Sequence, residues 1–462
     1  MITQIFLIHE NKINENSSSP FISIITVQGA NDFASLVNYD VVKHPDDNFT
    51  IVFIDQVESI QQLGIISTTS NYQWAESIQY LAKETADYSF VGKPTITYLQ
   101  DSIYIFYPFK GASSRGIELI SKNIETGVIT NQTLFEHPFD YCNNPLIMRN
   151  ATNNGLILAW LSNDYGNYEL FMTKSNTTVL DFGERIKVSS LNESSNKDCS
   201  FAMDSTGDLH FAWAYGEVHH EKIVYRTMYA NSSLSAIENI TDGSNRCKEP
   251  VLLIDNYDYV NLFWTNFTVE NPDLQMGTVN IYSAKKQLSG GPWINYLEVA
   301  PYIPTERPPS GESDAYTPAV ALDQQNRLWL AYEIREEYAN HMGVDIRHRE
   351  NNNWMPGTIL SLLTNAALDP QLIVDEDDNL HCFWLDARHS TYEIYHRIKF
   401  STDTWSDEVL VTFTGRFFNY IWQTALIISV VFLVMGLPFV IGNILKRRRA
   451  EKLIKGKIKD LQ

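Results

Sequence analysis

Pro318-Ala-Val-Ala-Leu-Asp-Gln-Gln-Asn-Arg-Leu-Trp-Leu-Ala-Tyr332 decides the fold. A strand led by Pro runs into a turn opened by Asp323, and a strongly apolar strand follows that closes on an aromatic. The arrangement recurs as Phe201-Ala-Met-Asp-Ser-Thr-Gly-Asp-Leu-His-Phe-Ala-Trp213 and as Pro370-Gln-Leu-Ile-Val-Asp-Glu-Asp-Asp-Asn-Leu-His-Cys-Phe-Trp384. Pro250 to Trp264 and Pro145 to Trp160 match it closely, Pro94 to Phe106 and Phe33 to Phe53 more loosely. The closing aromatics are Phe53, Phe106, Trp160, Trp213, Trp264, Tyr332 and Trp384, separated by 53, 54, 53, 51, 68 and 52 residues. The long interval holds a Pro-rich insertion, Pro301 to Asp314. After each aromatic come a loop, an alternating strand such as Tyr168-Glu-Leu-Phe-Met172, and a fourth strand leading to the next repeat.

Four short strands per ~50 residues, repeated, is the pattern of a β-propeller, whose blades cannot bury both faces alone and so stack radially. The apolar second strand fits burial on both faces between neighbouring blades. Helical folds are excluded by the excess of β-branched and aromatic residues and by regular turn punctuation. The fold class is therefore all-β: a seven-bladed propeller over residues 31–415. Residues 1–30 read as a half-blade of two strands, Ile5–Ile8 and Phe21–Val27, which would either add to the ring as part of an eighth blade or mark a chain that starts upstream. Met1 to Glu10 lacks the basic flank and long apolar core of an export signal, which also points to an upstream start.

Beyond the repeats, Phe417 to Leu445 contains no charged residue and is followed by Lys446-Arg447-Arg448-Arg449. A run this long exceeds the ~20 apolar residues that span a bilayer as a helix, so residues 416–445 are expected to be one transmembrane helix. Phe417, Phe418, Tyr420 and Trp422 suit one membrane interface, and the Lys/Arg cluster marks a cytoplasmic flank. The chain has 35 basic and 55 acidic residues, a formal charge of −20. Residues 446–462 hold eight basic and two acidic residues, so the tail carries +6 and the rest −26. The acidic domain disfavours nucleic acid as a partner, and the basic tail suits an anionic cytoplasmic leaflet.

The form Asp204-Ser-Thr-Gly-Asp-Leu-His-Phe-Ala-Trp213, repeated at Asp375 to Trp384, resembles the repeats of sialidase-like (BNR-type) propellers of surface proteins. That resemblance implies the fold over residues 33–413. The Asp turn here lies between first and second strands, whereas the sialidase Asp-box lies between third and fourth, and the sialidase Arg-Ile-Pro segment is absent. No catalytic residue is carried over.

Several residues are candidates for function. Loops joining second to third strands gather on one face, and such loops commonly carry binding. They supply Tyr165, His219, His220, Arg335, Glu336, Arg388 and His389 as a ligand-binding face. Cys142, Cys199 and Cys247 lie at or near the first strands of consecutive repeats and are expected to cluster. One disulfide between neighbouring blades, unpaired small hydrophobes and a three-Cys metal site are the readings open to them. Cys382, inside an apolar strand, reads as core. Asn16, Asn48, Asn131, Asn150, Asn176, Asn192, Asn231, Asn239 and Asn266 open glycosylation sequons. The acidic turn Asp375-Glu376-Asp377-Asp378 offers oxygens to a structural calcium ion, and no other cofactor is implied.

The expectation is a single-pass protein of the cell membrane, anchored in the lipid bilayer through residues 417–445, with its propeller outside and its tail in the cytoplasm. Its role is recognition or adhesion, binding an extracellular glycan or protein on the loop-rich face. The alternatives are a surface glycoside hydrolase or lyase of sialidase-like type, or an inward-facing tethered scaffold. A hydrolase requires an inward cluster of Arg and carboxylates at the channel mouth, a binder exposed aromatics and no such cluster, and a cytosolic scaffold free thiols and empty sequons.

Overall fold

The computed structural model describes residues 35–412 and 445–449, apart from segments 58–59, 69–71, 76, 138–141, 151–154, 164–166, 176–180, 190–195, 218–219, 272–275, 300–312, 337–341, 351–352, 362–366 and 389–390. Seven antiparallel sheets follow one another along the chain, five with their strands paired strictly in sequence order and those of blades 2 and 6 with one strand split in two. They form a seven-bladed β-propeller. Blade 1 spans Ser35 to Lys83, blade 2 Tyr88 to His137, blade 3 Cys142 to Lys187 and blade 4 Asn196 to Asn239. Blade 5 spans Arg246 to Val299, blade 6 Ser313 to Ile359 and blade 7 Ala367 to Leu410. The first strands touch one another in a closed circle, with that of blade 7 against that of blade 1, so they form the innermost ring.

Burial explains the arrangement. The second strand of blade 4, Leu209–Tyr215, has period-two alternation. Leu209, Phe211 and Trp213 pack against blade 3, while Ala212 and Ala214 pack against blade 5. The same holds around the ring, where each of the seven blade-to-blade interfaces contains its own apolar cluster. All seven repeat aromatics, Phe53, Phe106, Trp160, Trp213, Trp264, Tyr332 and Trp384, are at most 2% exposed.

The Asp turns are built by their own side chains. Asp204 Oδ1 accepts from the N–H groups of Thr206 and Asp208, and Asp255 Oδ1 from those of Tyr257 and Tyr259. Asp323 Oδ1 takes the Arg327 N–H, and Asp375 Oδ1 the Asn379 N–H. Gly207, Asp258, Asn326 and Asp378 hold the left-handed conformation that closes each turn, a position favouring Gly, Asn and Asp. The carboxylate of Asp375 is thus occupied by Asn379, Tyr72 and His381. Asp375 serves the turn and the side chains around it, and among the described residues no group of three His, Cys, Asp or Glu is placed to hold a metal.

The half-blade expected over residues 1–30 and the span expected over 416–445 lie outside the described residues, except for Leu445. Among the described residues no helix is long and apolar enough to cross a membrane. Leu445 to Arg449 form a short helical segment.

A core truncation and a surface one separate this architecture from a loosely packed one. Phe211→Ala, at a fully buried ring stacked 5.7 Å from Phe201, is expected to cost about 3–5 kcal/mol in urea unfolding. Ile124→Ala, at a position 41% exposed, should stay within about 0.5 kcal/mol of the parent.

A carboxylate ring at the channel mouth

The innermost strands share an irregularity. In blades 3 to 7 the pairing of first with second strand slips at Asn143/Leu146, Lys197/Cys199, Lys248/Val251, Tyr316/Ala319 and Leu368/Gln371. At each slip one non-glycine residue holds positive φ: Asn144 at 46°, Asp198 at 35°, Glu249 at 52°, Thr317 at 49° and Asp369 at 48°. L-residues rarely adopt this conformation, and a β-branched Thr does so least readily. Bulges and strained backbone of this kind concentrate at functional sites. In blade 2 the first strand breaks instead, between Phe90 and Thr95. Gly92 sits in the break at φ 101°, where an added Cβ would meet Asn143 Oδ1 at 2.5 Å.

These slips bring charged side chains together around the axis. Asp198 of blade 4 accepts the Glu249 N–H of blade 5. Glu249 Oε2 accepts the Thr317 N–H of blade 6 at 3.0 Å and the Thr265 hydroxyl at 2.7 Å. Glu333 Oε1, on the second strand of blade 6, accepts the Asp369 N–H of blade 7 at 2.8 Å. Asp40 of blade 1 accepts from Ile96 N–H and Thr95 of blade 2 at 2.9 and 2.8 Å. Each carboxylate therefore holds the inner strand of the blade after it. Lys93 of blade 2 then reaches past blade 1 to Asp369 of blade 7 at 3.1 Å, above the Tyr39 ring. The Tyr39 hydroxyl donates to the Asp369 carbonyl at 2.6 Å.

Burial is the largest influence on the acids and raises the pKa of Asp198, Glu249 and Asp40. Glu333 is pushed up to about 7, by burial first and by the neighbouring charges of Glu249 and Asp369 as well. Burial works against the Lys93 ammonium, but Asp369 and Asp40 outweigh it and raise its pKa. A carboxylic acid that keeps its proton near neutrality beside other carboxylates is the arrangement that lets one group act as acid and another as base.

Neighbouring cations are held by other acids. Buried Glu221 takes Lys197 at 2.6 Å and Arg246 at 3.3 Å. Arg388 is clamped by Asp386 and Glu408 and lies 4.1 Å from the Tyr395 ring centre. Half-buried aromatics stand beside the acids: Phe267 and Tyr316 meet edge to face at 5.8 Å, with Arg246 over the first and Arg335 over the second.

Of the residues expected on the binding face, Tyr165, His219 and His389 lie outside the described residues. His220 is an exposed loop residue whose N–H closes a turn on Glu217. Arg335 is exposed and Glu336 ends its strand opposite Ser313. Arg388 braces the loop after the second strand to the fourth strand of its own blade. Arg335 alone among these stands over an aromatic next to the acidic ring. These acids were not singled out in the sequence; a signal existed for Asp198, Glu249 and Asp369, and none for Glu333 or Asp40. Lys93, Asn144, Glu249, Thr317 and Asp369 each precede the Pro that opens a repeat, and Asp198 holds the same place in the repeat without Pro.

The expected thiol cluster does not form. No disulfide joins any of Cys142, Cys199, Cys247 and Cys382. Cys142 packs between blades 2 and 3, Cys199 between 3 and 4, and Cys247 between 4 and 5. One blade-to-blade core separates each from the next, so they behave as small hydrophobes, and the Cys247 thiol donates to Asn266 at 3.2 Å. The sequon residues Asn150 and Asn266 are buried, 6% and 4% exposed, which leaves no room for a glycan on either. Asn131, Asn231 and Asn239 are exposed and Asn48 is half-buried; Asn16, Asn176 and Asn192 lie outside the described residues.

No family model and no curated protein matches the chain. Solved structures similar to it include an α-L-arabinofuranosidase of Fusarium graminearum, at 10% identity over 80% of this chain and 94% of that one, TM-score 0.45. A Trypanosoma rangeli sialidase mutant displaying trans-sialidase activity is similar at 11% identity over 71% and 55%, TM-score 0.38. A protein of unknown function from Dyadobacter fermentans is similar at 11% over 67% and 93%, TM-score 0.45. In fold, the chain resembles sialidase and arabinanase propellers.

The Glu333 proton gives a direct test of this electrostatic picture. Its pKa rises from an ordinary 4.5 to about 7 on folding, so its contribution to stability is whole below the unfolded value and lost as pH rises to the folded one. Glu333→Gln should remove that downward slope, and chemical denaturation across this window measures it.

Proposed function

We propose that the chain is a membrane-anchored propeller that cleaves glycosidic bonds at the mouth of its central channel. The observation that carries this is the convergence of Asp198, Glu249 and Glu333 from three consecutive blades, with burial raising all three. Glycoside hydrolysis uses two carboxyl groups, one protonating the leaving oxygen and the other acting as base or nucleophile. Glu333 is the proton donor in this reading, since it keeps its proton up to about pH 7. Glu249 or Asp198, each already accepting an N–H from the following blade, is the partner carboxylate.

A second reading, recognition without turnover, has its own support. The same carboxylates accept N–H groups of the next blade, work they would do in a protein with no chemistry at all. The two readings share one ligand class and one face. In both, residues 417–445 hold the propeller to the membrane and the basic tail lies in the cytoplasm. The positive flank of that span supports a propeller on the outer side.

Turnover of neutral pentosides, hexosides and sialosides by the full chain in detergent separates the readings. Hydrolysis of one class is expected, with Glu333→Gln lowering kcat by about 10²- to 10⁴-fold while KM changes little. Saturable glycan binding with no release of sugar, unaltered in Glu333→Gln, would leave recognition standing and remove catalysis. Protease shaving of intact cells carrying a C-terminal tag should leave a small tagged fragment; full protection would remove the outward propeller.

A further inference from the structure

Among the described residues blade 7 and blade 1 share no strand, so side chains close the ring between them. The loop after the third strand of blade 1 supplies Tyr72 and Trp74, and blade 7 supplies Asp375, His381 and His396. Four links join them. Trp74 Nε1 lies 3.3 Å from His396 Nδ1, His396 Nε2 lies 3.0 Å from His381 Nδ1, and His381 Nε2 lies 3.1 Å from Asp375 Oδ2. Tyr72 donates its hydroxyl to the same Asp375 oxygen at 2.5 Å.

The ends of this chain fix its direction. An indole N–H can only donate and an ionised carboxylate can only accept. His396 must therefore present a bare Nδ1 to Trp74 and carry its hydrogen on Nε2. His381 must accept at Nδ1 and donate from Nε2 to Asp375. Both imidazoles are neutral, and every hydrogen in the line points from blade 1's Trp74 towards Asp375. The rings are 0% and 2% exposed, and His396 stacks on Phe383 at 4.4 Å while Phe49 lies 4.4 Å from His381.

One further proton has no acceptable place. On His396 Nδ1 it faces the Trp74 N–H. On His381 Nδ1 it faces the His396 N–H, and shifting the His396 hydrogen to relieve that clash returns it to Trp74. We propose that this seam is a proton-operated latch: uptake of one proton by the His381–His396 pair breaks the line and frees blade 1 from blade 7. The charged and titratable groups facing the pair are Asp375 and Glu376 from blade 7 and Lys43, Asp47 and Tyr72 from blade 1. Lys43 pairs with both Asp47 and Glu376, which moderates their pull. Burial is the largest influence on both imidazoles; it pushes His381 below 6.5 despite Asp375 and Asp47, and His396 further still with His381 against it. An imidazole with a depressed folded pKa contributes stability that is whole above about 6.5 and lost as pH falls through the folded value, because the unfolded chain takes up the proton first.

Hydrogen exchange of the full chain in detergent, corrected for the intrinsic pH dependence of exchange, tests the latch. Between about pH 7.5 and pH 5, peptides from Phe49–Val57 and Glu393–Lys399 should lose at least roughly tenfold more protection than peptides from Leu209–Tyr215 at the seam of blades 3 and 4. Uniform loss around the ring, or loss first at blades 3 and 4, would overturn the proposal in the unmodified protein alone. Trp74→Phe keeps an aromatic ring but removes the N–H that forbids a second hydrogen on His396. Its seam should be looser at neutral pH yet lose less additional protection on acidification. An undiminished acid response in Trp74→Phe would show that the directed line is not the sensor.

Discussion

A second strand buried on both faces needs a neighbour on each side, and only a closed circle supplies one to every blade. Leu209, Phe211 and Trp213 look one way and Ala212 and Ala214 the other, so removing either neighbour exposes half of the strand. The apolar clusters lie between blades, and the structure therefore stands or falls as a ring. Large side chains on one face and small ones on the other let consecutive blades interlock at native packing density.

Closure of that ring is where polar chemistry enters. Most seams are predominantly apolar, whereas blades 7 and 1 are joined by aromatic rings threaded with hydrogen bonds through Tyr72, Trp74, His381 and His396. A buried polar line is stable when each member is satisfied and costly when one is not. This seam is consequently more specific than an apolar one and more sensitive to protonation. On the channel side Lys93 adds a second tie, reaching from blade 2 to Asp369 of blade 7.

The channel mouth shows construction and chemistry sharing residues. The bulges in the inner strands of blades 5, 6 and 7 each expose an N–H that a carboxylate of the preceding blade accepts, Asp198 for Glu249, Glu249 for Thr317 and Glu333 for Asp369. The same bonds that fix blade spacing hold several acids within reach of one another's fields. Positive φ at Thr317 and Asp369 is the conformational cost of that placement. It recurs at equivalent positions in five blades, which ties it to the ring as a whole rather than to a single local accident.

The repeat itself was legible in the sequence: the spacing of Phe53 to Trp384, the Asp turns and the apolar second strands are local features, set by side-chain period and turn chemistry. The seven repeats and the identity of the core aromatics follow from them, while the choice between seven and eight blades did not. Tertiary structure decided what meets across blades. Lys93 and Asp369 are 276 residues apart, and only ring closure brings them together. Cys142, Cys199 and Cys247 occupy related places in the repeat, yet successive blades put a packed core between them, so a shared repeat position is not a shared location. Asn150 and Asn266 carry sequons that read like exposed loops but lie on buried strands. Local pattern determines which strand a residue joins; the rotation from blade to blade determines what it faces.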